Sequence, residues 1–288
     1  MGIGRYLELF KLRICSLITF SAIVGLVAAS SPGATLGTAL FLVAATMLAA
    51  AAASVFNHYF DSDIDSIMKR TKERPFPSGD VAGSKGVLVV AAGLFLLSIA
   101  VSFAALNYMV ALHLALGAFV YAVVYTVWLK RKSSLNIIIG GLAGSFAVLA
   151  GGASASPEFC APPMLLAVVM FFWTPSHFWS FAICHREEYE KAGVPMMPVR
   201  VGNSRTAVYI LINTVFLVIS SLALWFLGHS GPVYLMAALV LGAYFIYWNI
   251  RLLMSPDKEV AKSNFRASMV YLGALFTSVV VDMAVMNM

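Results

Sequence analysis

The stretch LGTALFLVAATMLAAAAASVFNHYFDSDIDSIMKRTKERP, residues 36–75, decides the fold class. It begins with about 20 mostly apolar residues, the length that an α-helix needs to cross the hydrocarbon core of a bilayer. Oxygen-bearing side chains and then a basic run follow directly. The stretch therefore predicts a membrane-spanning helix with a polar site at its end.

The apolar pattern recurs along a chain that is 61% hydrophobic and only 11% charged. The apolar runs lack the alternation of a barrel strand, and backbone groups must be paired in lipid, so we predict an all-α polytopic membrane bundle. No linker or low-complexity tract separates the runs, so residues 1–288 are expected to form a single domain. About nine transmembrane helices are expected, near 14–30, 36–56, 86–106, 109–128, 135–152, 163–183, 206–227, 232–253 and 267–286.

The positions of the basic residues predict the orientation of the bundle. With nine spans, all 19 Lys and Arg residues lie on the side of the N-terminus, and the opposite loops carry none. Positive residues stay in the cytoplasm, so we expect a cytoplasmic N-terminus, a multi-pass location in the cell (inner) membrane and a polar site that faces the cytoplasm. The net charge of +6 then reflects this bias and an anionic ligand, and it does not indicate a nucleic-acid partner.

The loops after the second and sixth spans are long and rich in both acidic and basic residues. Four spans separate them, which predicts a diverged pseudo-repeat of about 10–130 and 131–253, followed by the ninth helix at 267–286. The three cysteines are scattered without the spacing of metal ligands and are interpreted as core residues.

The first polar cluster predicts a metal site. Asn57, Asp61 and Asp65 recur every fourth residue, so on a helix they lie on one face, one turn apart. Mg²⁺ favours carboxylate oxygens together with substrate phosphates. The alternative is a polar helix end with ordinary solvated aspartates. The spacing, the membrane context and the basic run that follows favour a site for Mg²⁺ and a diphosphate.

The second polar cluster follows the sixth span. Glu187 and Glu188 are expected to supply a second set of metal ligands, or to orient the diphosphate from the far side of a pocket, although a solvated charge cluster is the alternative. Arg binds diphosphate oxygens through paired donors and Lys as a point charge. The candidate diphosphate-binding cations are Arg13, Lys69, Arg70, Arg74, Lys130, Arg131 and Arg186.

An aromatic block precedes the second cluster. His177 lies among aromatic residues near the inner end of the sixth span, where an aromatic acceptor would be bound. A packed, hydrogen-bonded core histidine is the alternative interpretation, but ionisable residues within membranes are functional candidates by default. We predict an acceptor side that includes His177, Trp179, His185 and Tyr189.

Five blocks of sequence, spread over almost the full chain, carry a resemblance. They are FKLR (10–13), NHYFDSDIDSIMKRTKERPFPSG (57–79), YTVWLKRKSSLNIIIGGLAGS (125–145), WTPSHFWSFAICHREEYEKAGVPMMPV (173–199) and KSNFRASMVYL (262–272). With these blocks the chain resembles the UbiA superfamily of intramembrane prenyltransferases, and within it the branch that farnesylates haem. Two features depart from many members: Glu187 and Glu188 stand in place of paired aspartates, and Lys130 follows Tyr125 by five residues where some relatives have four.

The resemblance implies a UbiA-type fold and a prenyl transfer from farnesyl diphosphate to a vinyl group of haem B, with Mg²⁺ as the cofactor. It implies that Asn57, Asp61, Asp65 and Lys130 act in catalysis, that the glutamates add metal ligands, and that Tyr125 contacts the diphosphate. Association with other proteins of haem biosynthesis or oxidase assembly is a further expectation. Two alternatives stay open: a UbiA-type enzyme for a quinone precursor or other aromatic acceptor, and a secondary transporter.

Overall fold

The computed structural model describes residues 3–29, 33–79 and 85–286. Within these ranges every regular element is a helix. The helices are α1 Ile3–Leu9, α2 Leu12–Ala28, α3 Leu36–Phe60, α4 Ser62–Ile67, α5 Gly86–Ala105, α6 Tyr108–Phe119, a π-helix Val120–Leu129, α7 Asn136–Gly140, α8 Leu142–Ala155, α9 Ala161–Cys184, α10 Arg186–Lys191, α11 Met197–Val201, α12 Asn203–Phe226, α13 Pro232–Met254 and α14 Lys258–Met286.

Eight helical segments in the described ranges are long and apolar enough to cross a membrane. They are Leu36–Phe60, Gly86–Ala105, Tyr108–Leu129, Asn136–Ala155, Ala161–Cys184, Asn203–Phe226, Pro232–Met254 and Lys258–Met286. The first predicted span corresponds to α2, which is apolar but has only 17 residues. The all-α membrane bundle is therefore confirmed, whereas the count of nine spans and the cytoplasmic N-terminus stay predictions.

Apolar side chains cover the outside of the bundle as well as its core. Leu96, Ile219 and Val240 are each about 60% exposed, on three different helices. Such an outer surface is unfavourable in water and matches contact with lipid tails. The pattern explains why these helices show no clean division into an apolar and a polar face.

The fourth predicted span is not a uniform α-helix. It begins as α6 and continues as the π-helix, in which the Lys130 backbone N–H donates to the Tyr125 carbonyl (2.8 Å). That bond joins residues five apart, so Tyr125 and Lys130 are one-turn neighbours. The five-residue spacing noted in the sequence is thus accommodated by the local helix type.

The centre of the bundle is α9, which packs against α8, α12 and α14. A ladder of buried hydrogen bonds ties α9 to its neighbours: Ser176 to Thr214 (2.8 Å), Thr214 to Asn249 (3.0 Å), Asn249 to Asn264 (3.2 Å) and Asn264 to Ser180 (2.8 Å). Because buried polar groups must be paired in an apolar environment, the ladder fixes the register of four helices.

The last helix begins earlier than the apolar run implies. Helix α14 starts at Lys258 rather than at 267, because the carboxylate of Asp257 accepts the backbone N–H groups of Glu259 and Val260 (2.9 Å each). Near its other end, buried Asp282 accepts the backbone N–H groups of Gly231 (2.5 Å) and Tyr234 (3.1 Å) at the start of α13. Asp282 therefore caps the start of α13.

Candidate functional site

The first polar cluster forms where α3 ends and α4 begins. Asn57 lies in the last turn of α3, Asp61 joins the two helices, and Asp65 lies in α4. All three side chains are buried, with at most 3% of each residue exposed. Asp63 points elsewhere: its side chain is 64% exposed and pairs with Arg131 (2.6 Å). Asp63 therefore lies outside the buried cluster.

Each of the three buried residues is paired with a different cation. Lys11 Nζ donates to Asn57 Oδ1 (2.7 Å). Lys130 Nζ lies 2.5 Å from Asp61 Oδ2, and Arg74 Nη1 lies 2.7 Å from Asp65 Oδ2. The cations come from three separate parts of the chain: the turn before α2, the end of the π-helix and the loop after α4. Three oxygen ligands and three cations thus converge at one end of the bundle.

The orientation of the Asn57 amide is fixed by its neighbours. Asn57 Nδ2 donates to Asp61 Oδ2 (2.7 Å) and to Thr126 Oγ1 (3.0 Å). Thr126 Oγ1 donates its own proton to the Tyr121 carbonyl (2.8 Å), so it can only accept from Asn57. The amide nitrogen therefore faces the π-helix, and the amide oxygen faces Lys11.

The burial of Lys11 perturbs its protonation. Burial, together with the positive charge of Arg74, lowers the pKa of Lys11 to about 7. Lys11 also has a left-handed backbone conformation, with φ of 45°, which is uncommon for a residue other than glycine. The unusual backbone points to a residue that is held in place by its side-chain contact with Asn57.

The oxygen set fits a hard divalent cation. Asp61 Oδ1 is buried without a hydrogen-bond partner in the described residues, so one carboxylate oxygen is left unsatisfied. Asn and Asp oxygens are ligands that suit Mg²⁺, which commonly uses one or two carboxylates and completes its shell with phosphates and water. No group of three or more His, Cys, Asp or Glu side chains converges in the described ranges, so an all-protein cage is absent there.

The second acidic cluster lies beside the first but does not merge with it. Glu188 Oε2 accepts the backbone N–H of Arg70 (3.4 Å), and Glu188 Oε1 lies 3.3 Å from His185 Nδ1. Partial burial acts to raise the pKa of Glu188, but these two contacts lower it below its ordinary value overall. The Glu187 side chain is exposed and makes no hydrogen bond or ion pair within the described residues. Of the two glutamates, only Glu188 contacts the loop of the first site.

Two of the seven predicted diphosphate cations lie at the buried acids. Lys130 and Arg74 lie at the buried acids, whereas Arg131 binds Asp63 and lowers the pKa of that carboxyl to about 2. Arg70 lies 5.1 Å above the Phe181 ring, and Tyr125 stacks on Tyr121 at 5.8 Å. The remaining three predicted cations make no ion pair within the described ranges: Arg13, Lys69 and Arg186.

The predicted acceptor residues lie on two sides of α9. Trp179 and Tyr189 are buried in a cluster that includes Ile64 of α4 and Met68 directly after α4. His177 and His185 instead contact an aromatic row that includes Phe181 and Phe265. A mostly aliphatic cluster and a histidine-bearing aromatic row thus pack against the same end of α9.

Two site residues were not singled out from the sequence. Lys11 belongs to the short FKLR block, in which Arg13 was the preferred candidate, but the structure brings Lys11 to Asn57. Thr126 gives no signal, because it is a single hydroxyl residue within an apolar run. Its contact depends on the π-helix, which no periodicity in this sequence reveals.

Comparison with known proteins identifies a family. The UbiA prenyltransferase family matches residues 18–276. Two relatives from Paramagnetospirillum magneticum are protoheme IX farnesyltransferase 1, which is 48% identical over 98% of this chain and 99% of its own length, and protoheme IX farnesyltransferase 2, which is 44% identical over 96% and 95%. A protoheme IX farnesyltransferase 1 from Cenarchaeum symbiosum is 41% identical over 99% of this chain and 97% of its own length.

Solved structures share the fold. A digeranylgeranylglyceryl phosphate synthase superposes with a TM-score of 0.82 at 21% identity, over 98% of both chains. A UbiA homolog from Archaeoglobus fulgidus bound to DMAPP and Mg²⁺ superposes with a TM-score of 0.68 at 18% identity, over 96% of this chain and 99% of that one. At these identities the likeness is one of architecture.

Proposed function

Because the chain belongs to the UbiA prenyltransferase family, we propose that it transfers a farnesyl group from farnesyl diphosphate to a vinyl group of protohaem IX, giving haem O. The observation that carries the proposal is the row of three buried oxygen-bearing side chains, each paired with its own cation. Solvated aspartates at a polar helix end would be exposed, as Asp63 is.

The metal that this family uses fits the buried oxygens. We assign Mg²⁺ to Asn57, Asp61 and Asp65, with Glu188 at the edge of the site, because Asp61 Oδ1 lacks a partner and the donors are all hard oxygens. When bound, Mg²⁺ supplies positive charge that stabilises the departing diphosphate. The described structure gives no equivalent support for Glu187, which is exposed.

The three cations provide the matching anion site. Lys11, Lys130 and Arg74 each bind a side-chain oxygen of the cluster. Phosphate oxygens form charge-assisted bonds to the same groups, and Arg can bind them in pairs. The cations therefore hold the diphosphate and neutralise the charge that grows on it as it leaves.

The proposed transfer proceeds through two carbocations. The bond between C1 of the farnesyl chain and the bridging oxygen breaks, its electron pair leaves with diphosphate, and an allylic cation remains. The π electrons of the haem vinyl group attack C1 and form the new carbon–carbon bond. The cation left next to the porphyrin is captured by water, which loses a proton to give a hydroxyethylfarnesyl side chain. Apolar helices keep water from the first cation.

The location follows from the charges and the spans. The chain is an integral multi-pass membrane protein. We infer that it lies in the cell inner membrane with its acids and cations on the cytoplasmic side, because Lys and Arg cluster in the cytoplasmic loops of membrane proteins. The charged diphosphate group of farnesyl diphosphate would then reach the site from the cytoplasm, and the apolar tail would lie among the helices.

A reconstituted assay tests the proposal. Protein in lipid nanodiscs is incubated with farnesyl diphosphate and haem B, with Mg²⁺ or with a chelator, and the pigment is identified by mass. We expect haem O only with Mg²⁺, and a rate at least about 100-fold lower in Asp61→Asn. Asp63→Asn is the matched control and should remain active, because Asp63 faces away from the site.

The same assay separates the alternatives. Unchanged haem B with folded wild-type protein would contradict the proposal. If an aromatic quinone precursor offered in parallel were prenylated instead, that precursor and not haem would be the acceptor. If the wild-type protein moved one of these ligands across a vesicle membrane without converting it, and Asp61→Asn abolished that movement, the protein would be a transporter instead.

A further inference from the structure

His177 is held in an aromatic sandwich inside the bundle. The Trp173 ring and the Phe265 ring both stack on the His177 imidazole. Their ring centroids lie 4.2 Å and 4.5 Å from that of the imidazole, with interplanar angles of 20° and 28°. Trp173 is itself fixed, since its Nε1 donates to the Ser268 carbonyl (2.7 Å). Two stacked rings from α9 and α14 restrict rotation of the imidazole, so a ligand can approach it only along an edge.

The hydrogen bonds of the ring define its tautomer. His177 Nδ1 lies 2.7 Å from Ser268 Oγ. Ser268 Oγ donates its own proton to the Phe265 carbonyl (2.6 Å), so it must accept from His177 Nδ1–H. The neutral ring then carries its lone pair on Nε2.

The Nε2 atom is left available. The described residues give Nε2 no hydrogen-bond partner. Both ring nitrogens of His58 are also unpartnered, but they are fully buried, whereas His177 Nε2 is not. A lone pair that is oriented, unpaired and accessible within an apolar bundle is costly unless a ligand uses it. A histidine that binds a metal through one ring nitrogen usually donates the other ring N–H to a fixed acceptor, as His177 Nδ1 does here.

Building on the proposed function, we propose that His177 Nε2 coordinates the iron of the haem substrate as its axial ligand. The iron of protohaem IX is bound by four porphyrin nitrogens and accepts an imidazole at an axial position. A porphyrin bound in this way lies perpendicular to the imidazole. The Phe178 ring also lies nearly perpendicular to the imidazole, at 89°. The coordination would hold the acceptor while its vinyl group is free to react.

The aromatic row links this position to the diphosphate end of the molecule. Phe265 contacts Phe181 (5.2 Å), Phe181 contacts His185 (4.5 Å), and Arg70 lies 5.1 Å above Phe181. A flat, apolar acceptor could bind along this row without leaving the bundle. His185 is the competing ligand, since its Nδ1 also contacts an acceptor, Glu188 Oε1 (3.3 Å), but the described residues give His185 one tilted ring contact, to Phe181, where His177 has two stacked rings.

Haem titration without farnesyl diphosphate tests the coordination apart from turnover. In nanodiscs, the ferrous wild-type complex should show an iron–imidazole stretching band by resonance Raman spectroscopy. Wild-type protein should also bind haem B about 10–100-fold more tightly than metal-free protoporphyrin IX, which has the same vinyl groups but no iron. His177→Gln, which can keep the bond to Ser268, should lose the band and most of this preference.

Matched variants complete the experiment. His113→Gln is the control, because His113 lines a separate cavity with Glu158 and Phe159, and it should behave as wild type. Added imidazole should restore the band in His177→Gly. Absence of the band in the wild-type protein, its retention in His177→Gln, or its loss in His185→Gln alone would overturn the inference. Haem O production by wild type with any of these outcomes would leave the proposed function intact.

Discussion

At the residue scale, the site depends on side chains that orient other side chains. The spacing of Asn57, Asp61 and Asp65 was enough to predict that their oxygens face one way, and all three are buried together. The spacing could not predict which cations reach them, because Lys11 and Lys130 come from distant segments that only tertiary packing brings close. Arg74 lies within the basic run that was predicted to bind the diphosphate.

Thr126→Val should weaken metal use without unfolding the protein. Valine keeps the shape but removes the acceptor of Asn57 Nδ2, so the amide is no longer held with its oxygen towards Lys11. Loss of such an outer contact commonly costs 10–100-fold in metal affinity, so we expect the Mg²⁺ concentration for half-maximal rate to rise by about that factor.

Two other threonine variants control this result. Thr126→Ser keeps the hydroxyl and should stay close to wild type. Thr46→Val removes a buried hydroxyl that has no partner in the described residues, and it should leave the Mg²⁺ requirement unchanged. An equal Mg²⁺ requirement in Thr126→Val and Thr126→Ser would refute the positioning role.

Lys11→Met should weaken binding of the diphosphate. The substitution keeps a long apolar side chain but removes the charge beside Asn57, so we expect the KM for farnesyl diphosphate to rise by about 10-fold or more. Arg13→Gln is the comparison, because Arg13 is exposed and has no ion pair in the described ranges. A larger effect of Arg13→Gln than of Lys11→Met would show that the sequence-based preference for Arg13 was right.

At the element scale, the positions of the helices were predictable from the sequence, but the π-helical form of one of them was not. Hydrophobic runs located the spans, because burial in lipid requires about 20 apolar residues whatever their order. The π-helix includes a backbone bond from the Lys130 N–H to the Tyr125 carbonyl, five residues earlier, which composition does not encode. The charged first turns of α14 were missed for a similar reason, since the Asp257 cap and not hydrophobicity starts that helix.

Gly151→Ala should destabilise the contact between α2 and α8. A Cβ atom at Gly151 would lie 1.8 Å from the Ala22 carbonyl oxygen, so the two backbones would have to separate. Overpacking of this kind costs about 1–3 kcal/mol or more, and the melting temperature in detergent should fall. Gly93→Ala is the control: nothing lies within 4 Å of its Cβ position in α5, so the melting temperature should be unchanged or slightly raised. Equal melting temperatures for the two variants would contradict the close packing.

At the scale of the whole molecule, charge placement predicts an orientation that the helices alone leave open. Every Lys and Arg residue lies on one side if nine spans cross the bilayer, and α2 is the span on which that count depends. The predicted pseudo-repeat has the same status, because the packing of α9 with α8, α12 and α14 does not by itself relate two halves.

Cysteine labelling measures the orientation. In a variant without the native cysteines, Glu158→Cys should react with a membrane-impermeant maleimide on intact cells from which the outer wall has been removed. Lys132→Cys should react only after the membrane is permeabilised, because the two residues lie at opposite ends of the span Asn136–Ala155 and its flanking loops. Labelling of Lys132→Cys in intact cells would reverse the predicted topology.

Calorimetric titration with an unreactive farnesyl diphosphate analogue, in which sulfur replaces the bridging oxygen, tests the metal–diphosphate site most directly. We expect binding to wild-type protein that strengthens at least about 10-fold when Mg²⁺ is added. In Asp61→Asn this dependence on Mg²⁺ should disappear, whereas in Asp63→Asn it should be kept. Equal affinity with and without Mg²⁺ in the wild-type protein, or an undiminished Mg²⁺ effect in Asp61→Asn, would contradict the assignment of the buried acids to a metal–diphosphate site.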